Sequence, residues 1–425
     1  MSAIEDQQTG ERTSAAASHD AYAALRHRDF RRFLAANALA TLGEQMLAVA
    51  IGWQIYVRTH SALALGLVGL VQVLPFIVLA LPAGQIADRR NRVRIVLVTQ
   101  AALGAGALAL SALSATTGPM VLIYVCLLLL GAALAFNNPA NSSLVPQVVP
   151  AEAFGNAATW SSSAWQLAAV LGPAVSGGLI ALTGSATAVY LLNAAGCAAV
   201  VVLIAGIRSP QPARPAEPAT LRSLGAGIAF LRHTPVILAA ITLDLFAVLF
   251  GGAVTLLPIF ALDILHVGAT GLGLLRTAPS VGAVLMALTM AHRPPFARAG
   301  RALLLAVAGF GLATIVFGVS RSFALSLGML ALLGAMDNVS VVVRSTLLLT
   351  RAPDEVRGRV YAVNGIFVGA SNELGGFESG LAAALFGPVA AVVLGGIGTL
   401  LVVAAVAYIW PEMRRLGRLM PGESH

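Results

Sequence analysis

These 425 residues are predicted to fold as an all-α integral membrane protein, with twelve transmembrane helices in two pseudo-symmetric six-helix bundles around a central cavity. Three observations lead there. The chain is 58% hydrophobic and only 10% charged, whereas a soluble domain carries about 25% charge. No soluble fold could cover its outside with so few polar residues, and a bilayer removes that need. The apolar residues also gather into stretches that approach or exceed the ~20 residues a bilayer-crossing helix requires. Finally, the arginines fall almost entirely in alternate loops.

The apolar stretches place spans 1 to 6 at 33–57, 62–83, 94–114, 119–139, 156–183 and 186–207, and spans 7 to 12 at 235–261, 269–290, 302–320, 323–343, 357–386 and 388–409. The 43 glycines suit helices that approach closely through small side chains. Every basic residue is Arg. Twenty-two of the 26 fall in the two tails or in the loops after spans 2, 6, 8 and 10. Only Arg58 and Arg321 fall in the opposite loops, while Arg276 and Arg344 lie within spans. By the positive-inside rule the basic loops and both termini are cytosolic, as the membrane of a bacterial cell would require. The net charge of +8 therefore reads as topology, with no nucleic-acid partner expected.

The two halves look related. Leu171-Gly172-Pro173-Ala174-Val175-Ser176-Gly177 has a counterpart 203 residues later in Leu374-Gly375-Gly376-Phe377-Glu378-Ser379-Gly380, and Pro150, Glu152 and Gly155 match Pro353, Glu355 and Gly358 at the same offset. A parallel duplication follows, with the binding site expected between the halves near the midplane. The expected organisation is a cytosolic tail at 1–29, one bundle at 30–207, a proline-rich linker at 208–233, a second bundle at 234–410 and a tail at 411–425.

Other classes lack their chemistry. Cys126 and Cys197 sit in apolar runs and suggest neither a disulfide framework nor a zinc site. No short apolar core with a cleavage site opens the chain. A phosphate-binding loop needs a Lys, and there is none. Neither a His-Glu-x-x-His zinc motif nor a Gly-x-Ser-x-Gly nucleophile elbow occurs. No enzymatic activity, cofactor or metal is expected.

The sharpest motif is Gly84-Gln85-Ile86-Ala87-Asp88-Arg89-Arg90-Asn91-Arg92-Val93-Arg94, between spans 2 and 3. Gly84 permits close helix packing. Asp88, at a helix end, can cap a neighbouring helix or pair with an arginine such as Arg89 or Arg92, although these arginines could also serve topology alone. The motif resembles the loop signature of the major facilitator superfamily, with Asn91 where a glycine is usual. Gly172-Pro173-Ala174-Val175-Ser176-Gly177 resembles the element that marks exporters in the antiporter branch of that superfamily, with Ser176 replacing a glycine; a plain glycine-packed kink is the other reading. With Thr59-His60-Ser61, Pro139-Ala140-Asn141, Leu221-Arg222-Ser223-Leu224 and Arg357-Gly358-Arg359-Val360, residues 22–410 are similar to the exporter group that includes enterobactin exporters and macrolide efflux pumps.

A charge near the bilayer centre costs about 2.5–3.5 kcal/mol on insertion scales, so it faces protein or water. The ionisable residues within spans are Glu44, Asp244, Arg276, Asp337, Arg344, Glu373 and Glu378, and spans 3, 6, 9 and 12 hold none. The resemblance makes those four spans peripheral, which fits. Glu44, near the middle of span 1, is the first candidate for a proton-carrying carboxylate, followed by Asp244, Glu373 and Glu378. Buried structural ion pairs are the alternative for all four. One of the span 11 glutamates is a candidate partner for Arg276. Asp337 and Arg344 are read as a gate pair, or as solvated groups, near the cytosolic interface. Gln54, Gln72, Asn138, Trp165 and Asn372 are candidate polar and aromatic groups of the cavity, whereas Trp53 and Tyr56 read as membrane-interface anchors.

The expected function is secondary active transport by rocking of the halves: export of a small amphipathic molecule in exchange for protons, with the bilayer as solvent and a single chain as the working unit. Siderophore export, uptake of a nutrient or lipid precursor, and a non-transporting membrane receptor remain open alternatives.

Overall fold

The structure, a computed structural model, describes residues 20–207, 229–294 and 296–417. Arg12, Arg208, Arg214, Arg222 and Arg418, the proline-rich 209–215 segment and the Leu221-Arg222-Ser223-Leu224 motif lie outside the described residues. Twelve long helical spans occupy them: α1 (Arg28–Thr59), α2 (Ala62–Arg89), α3 (Arg92–Ala115), α4 (Met120–Ser142), α5 (Phe154–Thr183), α6 (Thr187–Ala205), α7 (Pro235–Ile264), α8 (Gly268–Ala291), α9 (Ala299–Val319), α10 (Phe323–Arg351), α11 (Asp354–Phe386) and α12 (Pro388–Ile409). Both described chain ends lie at one end of the bundle, here the termini end.

The sequence sets where several helices begin. Ser61 caps α2, its hydroxyl accepting from Ala64 N–H at 3.3 Å. Asn91 caps α3, accepting from Arg94 N–H at 3.0 Å. Ser and Asn are favoured there because a side-chain oxygen satisfies an otherwise unpaired backbone N–H. Eleven spans are long and apolar enough to cross a membrane on their own. The twelfth, α11, carries Asn364, Asn372, Glu373 and Glu378. A helix of that composition is stable in a bilayer only where neighbouring helices take up its polar face. The outside of the molecule is apolar: Leu182 is 86% exposed, Val202 73% and Leu305 71%. Such side chains belong in lipid.

Two expectations about span limits need correction. Span 7 is not one continuous helix: its α-helical part ends at Phe250, and a 3-10 turn, a short helix at Leu257–Ile259 and a π-turn follow. Gly251, Gly252 and Pro258 supply the breaks. Such irregular backbone is tolerated within a membrane only where protein or a water-filled cavity surrounds it. Span 10 runs eight residues beyond its expected end, to Arg351. Asp337 therefore stands at the middle of α10, not near its interfacial end.

The halves meet along two seams, α2 against α11 and α5 against α8. Each seam is a glycine contact. A Cβ on Gly177 would lie 2.6 Å from Ala269 O and 2.8 Å from Gly273 Cα, and one on Gly66 would lie 2.9 Å from Gly380 Cα. Gly177 and Gly380 are the residues that the 203-residue offset aligns. The two seams are thus the same contact made twice, as a duplication of one half predicts.

The seams close one end only. Along one face of α5, Ala169, Gly172, Pro173, Ser176 and Ile180 are buried, while Gly155, Ala158, Ser162 and Trp165 on the same face are exposed. On α11, Gly376, Gly380 and Ala383 are buried and Gly358, Gly365 and Asn372 exposed. The halves pack tightly at the far end and part towards the termini end, leaving a central cavity open there.

Candidate functional site

The charges of the cavity come from both halves. Glu44, halfway along α1, is exposed. It also lies within Coulombic range of Glu373 on α11, which in turn is within range of Arg276 on α8. A side chain so placed faces the gap between the halves, not lipid, and its exposure is to the water of the cavity. Arg276 also donates to Val254 O at 3.3 Å, in the broken part of α7. Glu44, Glu373 and Arg276 thus form one electrostatic group from three helices, with two carboxyls and one guanidinium. Glu378 lies further towards the closed end, accepting from Ser379 Oγ at 3.3 Å.

Of the polar candidates, Asn138, Trp165 and Asn372 are exposed, and Gln72 is half-buried. Asn372 donates to Val368 O of its own helix at 2.8 Å. Gln54 is not a cavity residue: it is 5% exposed, and Tyr190 on α6 donates its hydroxyl to Gln54 Oε1 at 2.5 Å. The helical spacing that puts Gln54 in mid-membrane does not say which neighbour it faces.

The Gly172–Gly177 element serves both faces of α5. Towards α1, Ser176 donates to Met46 O at 2.9 Å, and a Cβ on Gly172 would lie 2.6 Å from Gln45 Cβ. Across the seam, a Cβ on Gly273 would lie 2.6 Å from Pro173 O, and Thr277 donates to Val170 O at 3.1 Å. The element therefore tightens one half and carries its contact with the other.

The loop between α2 and α3 differs from expectation in two respects. Gly84 makes no close helix contact among the described residues, since a Cβ there would meet nothing within 4 Å. The cap of α3 is Asn91, not Asp88, which is half-buried. Arg92 donates to Ala87 O at 3.4 Å and to Ser143 O at 3.2 Å, tying the loop to the end of α4. Arg89 is exposed.

Arg344 has a different partner from the one expected. It pairs with Asp244 on α7, in a buried salt bridge between helices, and not with Asp337 on its own helix. Both partners are almost fully buried. Removing one partner of such a pair costs roughly 3–5 kcal/mol because it strands a buried charge. Arg344→Leu alone is therefore expected to lower the thermal unfolding midpoint sharply, and Asp244→Leu with Arg344→Leu to recover most of the loss. A double-mutant cycle of unfolding measurements checks this.

Sequence reasoning did not foresee one contact at the closed end. Tyr56 on α1 donates its hydroxyl to Asp263 at the end of α7, joining the halves, and His60 packs edge-on against the Tyr56 ring at 5.5 Å. An acid directly after the apolar run 256–262 was the one available signal. Tyr56→Phe is expected to loosen this end, seen as severalfold faster labelling by a membrane-impermeant maleimide of a cysteine placed at buried Ala269 beside the seam in the Tyr56→Phe chain than in the same chain with Tyr56 and Asp263 retained.

Comparison with known proteins agrees with this architecture. Residues 19–417 match the family model described as transmembrane secretion effector. The chain is 28% identical over 400 residues to the enterobactin exporter EntS of Shigella boydii serotype 18, covering 93% of this chain and 95% of that protein. The same figures hold for EntS of Escherichia coli O139:H28. Among solved structures, a bacterial homologue of the human lysosomal transporter Spinster, inward-facing and occupied, superposes with a TM-score of 0.72 at 14% identity, covering 91% of this chain and 97% of that one. The nucleoside transporter NupG gives 0.70 at 11% identity, covering 90% and 100%. These structures share the fold. The chain is a multi-pass membrane protein that belongs to the transmembrane secretion effector family of major facilitator superfamily transporters.

Proposed function

We propose that this protein is a proton-driven exporter of small amphipathic molecules in a bacterial inner membrane. The observation that carries the reading is Glu44: a carboxyl at mid-membrane, open to the cavity, in the same electrostatic group as Glu373 and Arg276 of the other half. A carboxyl there can take a proton when the cavity faces one side and release it on the other, because burial and nearby charges both govern its proton affinity. Arginine-rich loops at the termini end support placing that end in the cytosol, and the cavity described above then opens to the cytosol. The bodies that rock are the bundles 30–207 and 234–410, turning on the two glycine seams. The open space at Gly84 and the half-buried Asp88 are where the cytosolic ends would meet on closing. Trp165, Asn138 and Asn372 provide an aromatic face and amide groups for an amphipathic ligand. One proton moving down 100 mV supplies about 2.3 kcal/mol.

A second reading, siderophore export, draws on the similarity to EntS, an enterobactin exporter by name. Arg276 supplies a cation for an anionic catecholate. Energised inside-out vesicles offered dyes, macrolides and catecholate siderophores test both readings. Uncoupler-sensitive accumulation of a compound is the expected result, and the compound chosen separates them. Accumulation by intact cells, dependent on this protein, would overturn export.

A further inference from the structure

The second half contains a separate set of polar groups that the central cavity does not use. A small cavity of about 10 Å³ lies between α7, α9 and α10, roughly the room one water-sized occupant needs. Asp244, Asp337 and Ser340 border it, and its remaining wall is apolar, with Val307, Phe310 and Met336 among the residues. Among the described residues, Val307 and Phe310 reach it from α9 and none of α11 or α12 borders it.

Two features point to an occupant. Ser340 is 3% exposed, and its hydroxyl has no hydrogen-bond partner among the described residues. A serine or threonine within a helix commonly donates to the carbonyl four residues back, as Thr314 and Thr346 do here. Ser340 leaves its hydroxyl free at the wall of the cavity. The charges, moreover, do not balance: Asp244 is neutralised by Arg344, and no cation pairs with Asp337 among the described residues. An isolated carboxylate at mid-membrane is too costly to stand uncompensated.

We propose that Asp337, Ser340 and Asp244 form a monovalent-cation site, occupied by a sodium ion or by a proton carried on Asp337 and its water. The donors are all oxygen, as hard cations prefer. Two carboxylates, one guanidinium and one monovalent cation sum to zero, whereas a divalent ion would leave a net positive charge in the bilayer. The site lies wholly within one half, so it stays intact as the halves rock, and it does not depend on the role given to Glu44.

The test uses the full chain in lipid nanodiscs, measuring binding of radioactive sodium and, with a pH-sensitive dye, the protons taken up on acidification. Wild type and Glu44→Gln are both expected to show a saturable component, sodium or proton, that Asp337→Asn lacks. If sodium suppresses the proton component, the two share the site; if sodium does not bind, the occupant is the proton. Ser340→Ala is expected to weaken occupancy severalfold and Asp337→Glu to retain it, which separates loss of the site from loss of the fold. Sodium binding and proton uptake by Asp337→Asn identical to those of wild type would overturn the proposal, as would the absence of both from the wild type.

Discussion

Replacing Glu44 by glutamine is expected to abolish uncoupler-sensitive substrate accumulation in inside-out vesicles while leaving substrate binding in place. Glutamine keeps the size and hydrogen-bonding shape of the protonated acid but can neither gain nor lose a proton. Binding steps that need a filled, neutral side chain should survive, and the step that needs its proton released should not. A loss of at least about tenfold in the coupled rate is expected, the factor that 1.36 kcal/mol in the barrier carries. Glu373→Gln should have a smaller effect, because Arg276 already compensates that carboxyl. Coupled accumulation that persists in Glu44→Gln and fails in Glu373→Gln would transfer the coupling role to α11.

A leucine at Gly177 is expected to produce the second large effect. Its Cβ would come within 2.6 Å of Ala269 O and 2.8 Å of Gly273 Cα, both backbone atoms that cannot rotate away. Overpacking of this kind costs about 1–3 kcal/mol. Applied to a seam between two bodies, that is enough to shift a conformational equilibrium roughly 5- to 150-fold. Gly178→Leu is the control, since a Cβ there meets nothing within 4 Å. Transport should fall steeply in Gly177→Leu and stay near wild type in Gly178→Leu. Equal losses in both would mean that general disturbance of α5, not the seam, is responsible.

Much of this architecture was legible in the sequence because a bilayer imposes simple rules. Apolar run length found the spans, usually within a few residues of their limits, whereas the Gly172–Gly177 element, read as an exporter element or a glycine-packed kink, lies on a seam that only the packing reveals. What the sequence hid was lateral: which helix a polar side chain faces. Gln54 and Glu44 both lie in α1, yet one is locked against Tyr190 while the other opens to the cavity. Arg344 could pair with Asp337 by spacing along one helix, and only the packing of α7 against α10 makes Asp244 its partner. The break in span 7 was visible as Gly251-Gly252 and Pro258, but similar residues sit inside intact helices, such as Pro173 in α5, so composition alone does not decide it.

Rocking of the two bundles is read most directly from the distance between the halves, measured at both ends by electron-spin resonance. Label pairs at Thr159 and Ser345 would report the termini end, and pairs at Thr116 and Ser322 the far end, all four positions being exposed, with Cys126 and Cys197 replaced. Rocking about the glycine seams predicts two populations that exchange with substrate and pH, the termini-end distance shortening as the far-end distance lengthens. Distances that stay fixed under every condition, or that change in the same direction at both ends, would contradict alternating access by these two bodies.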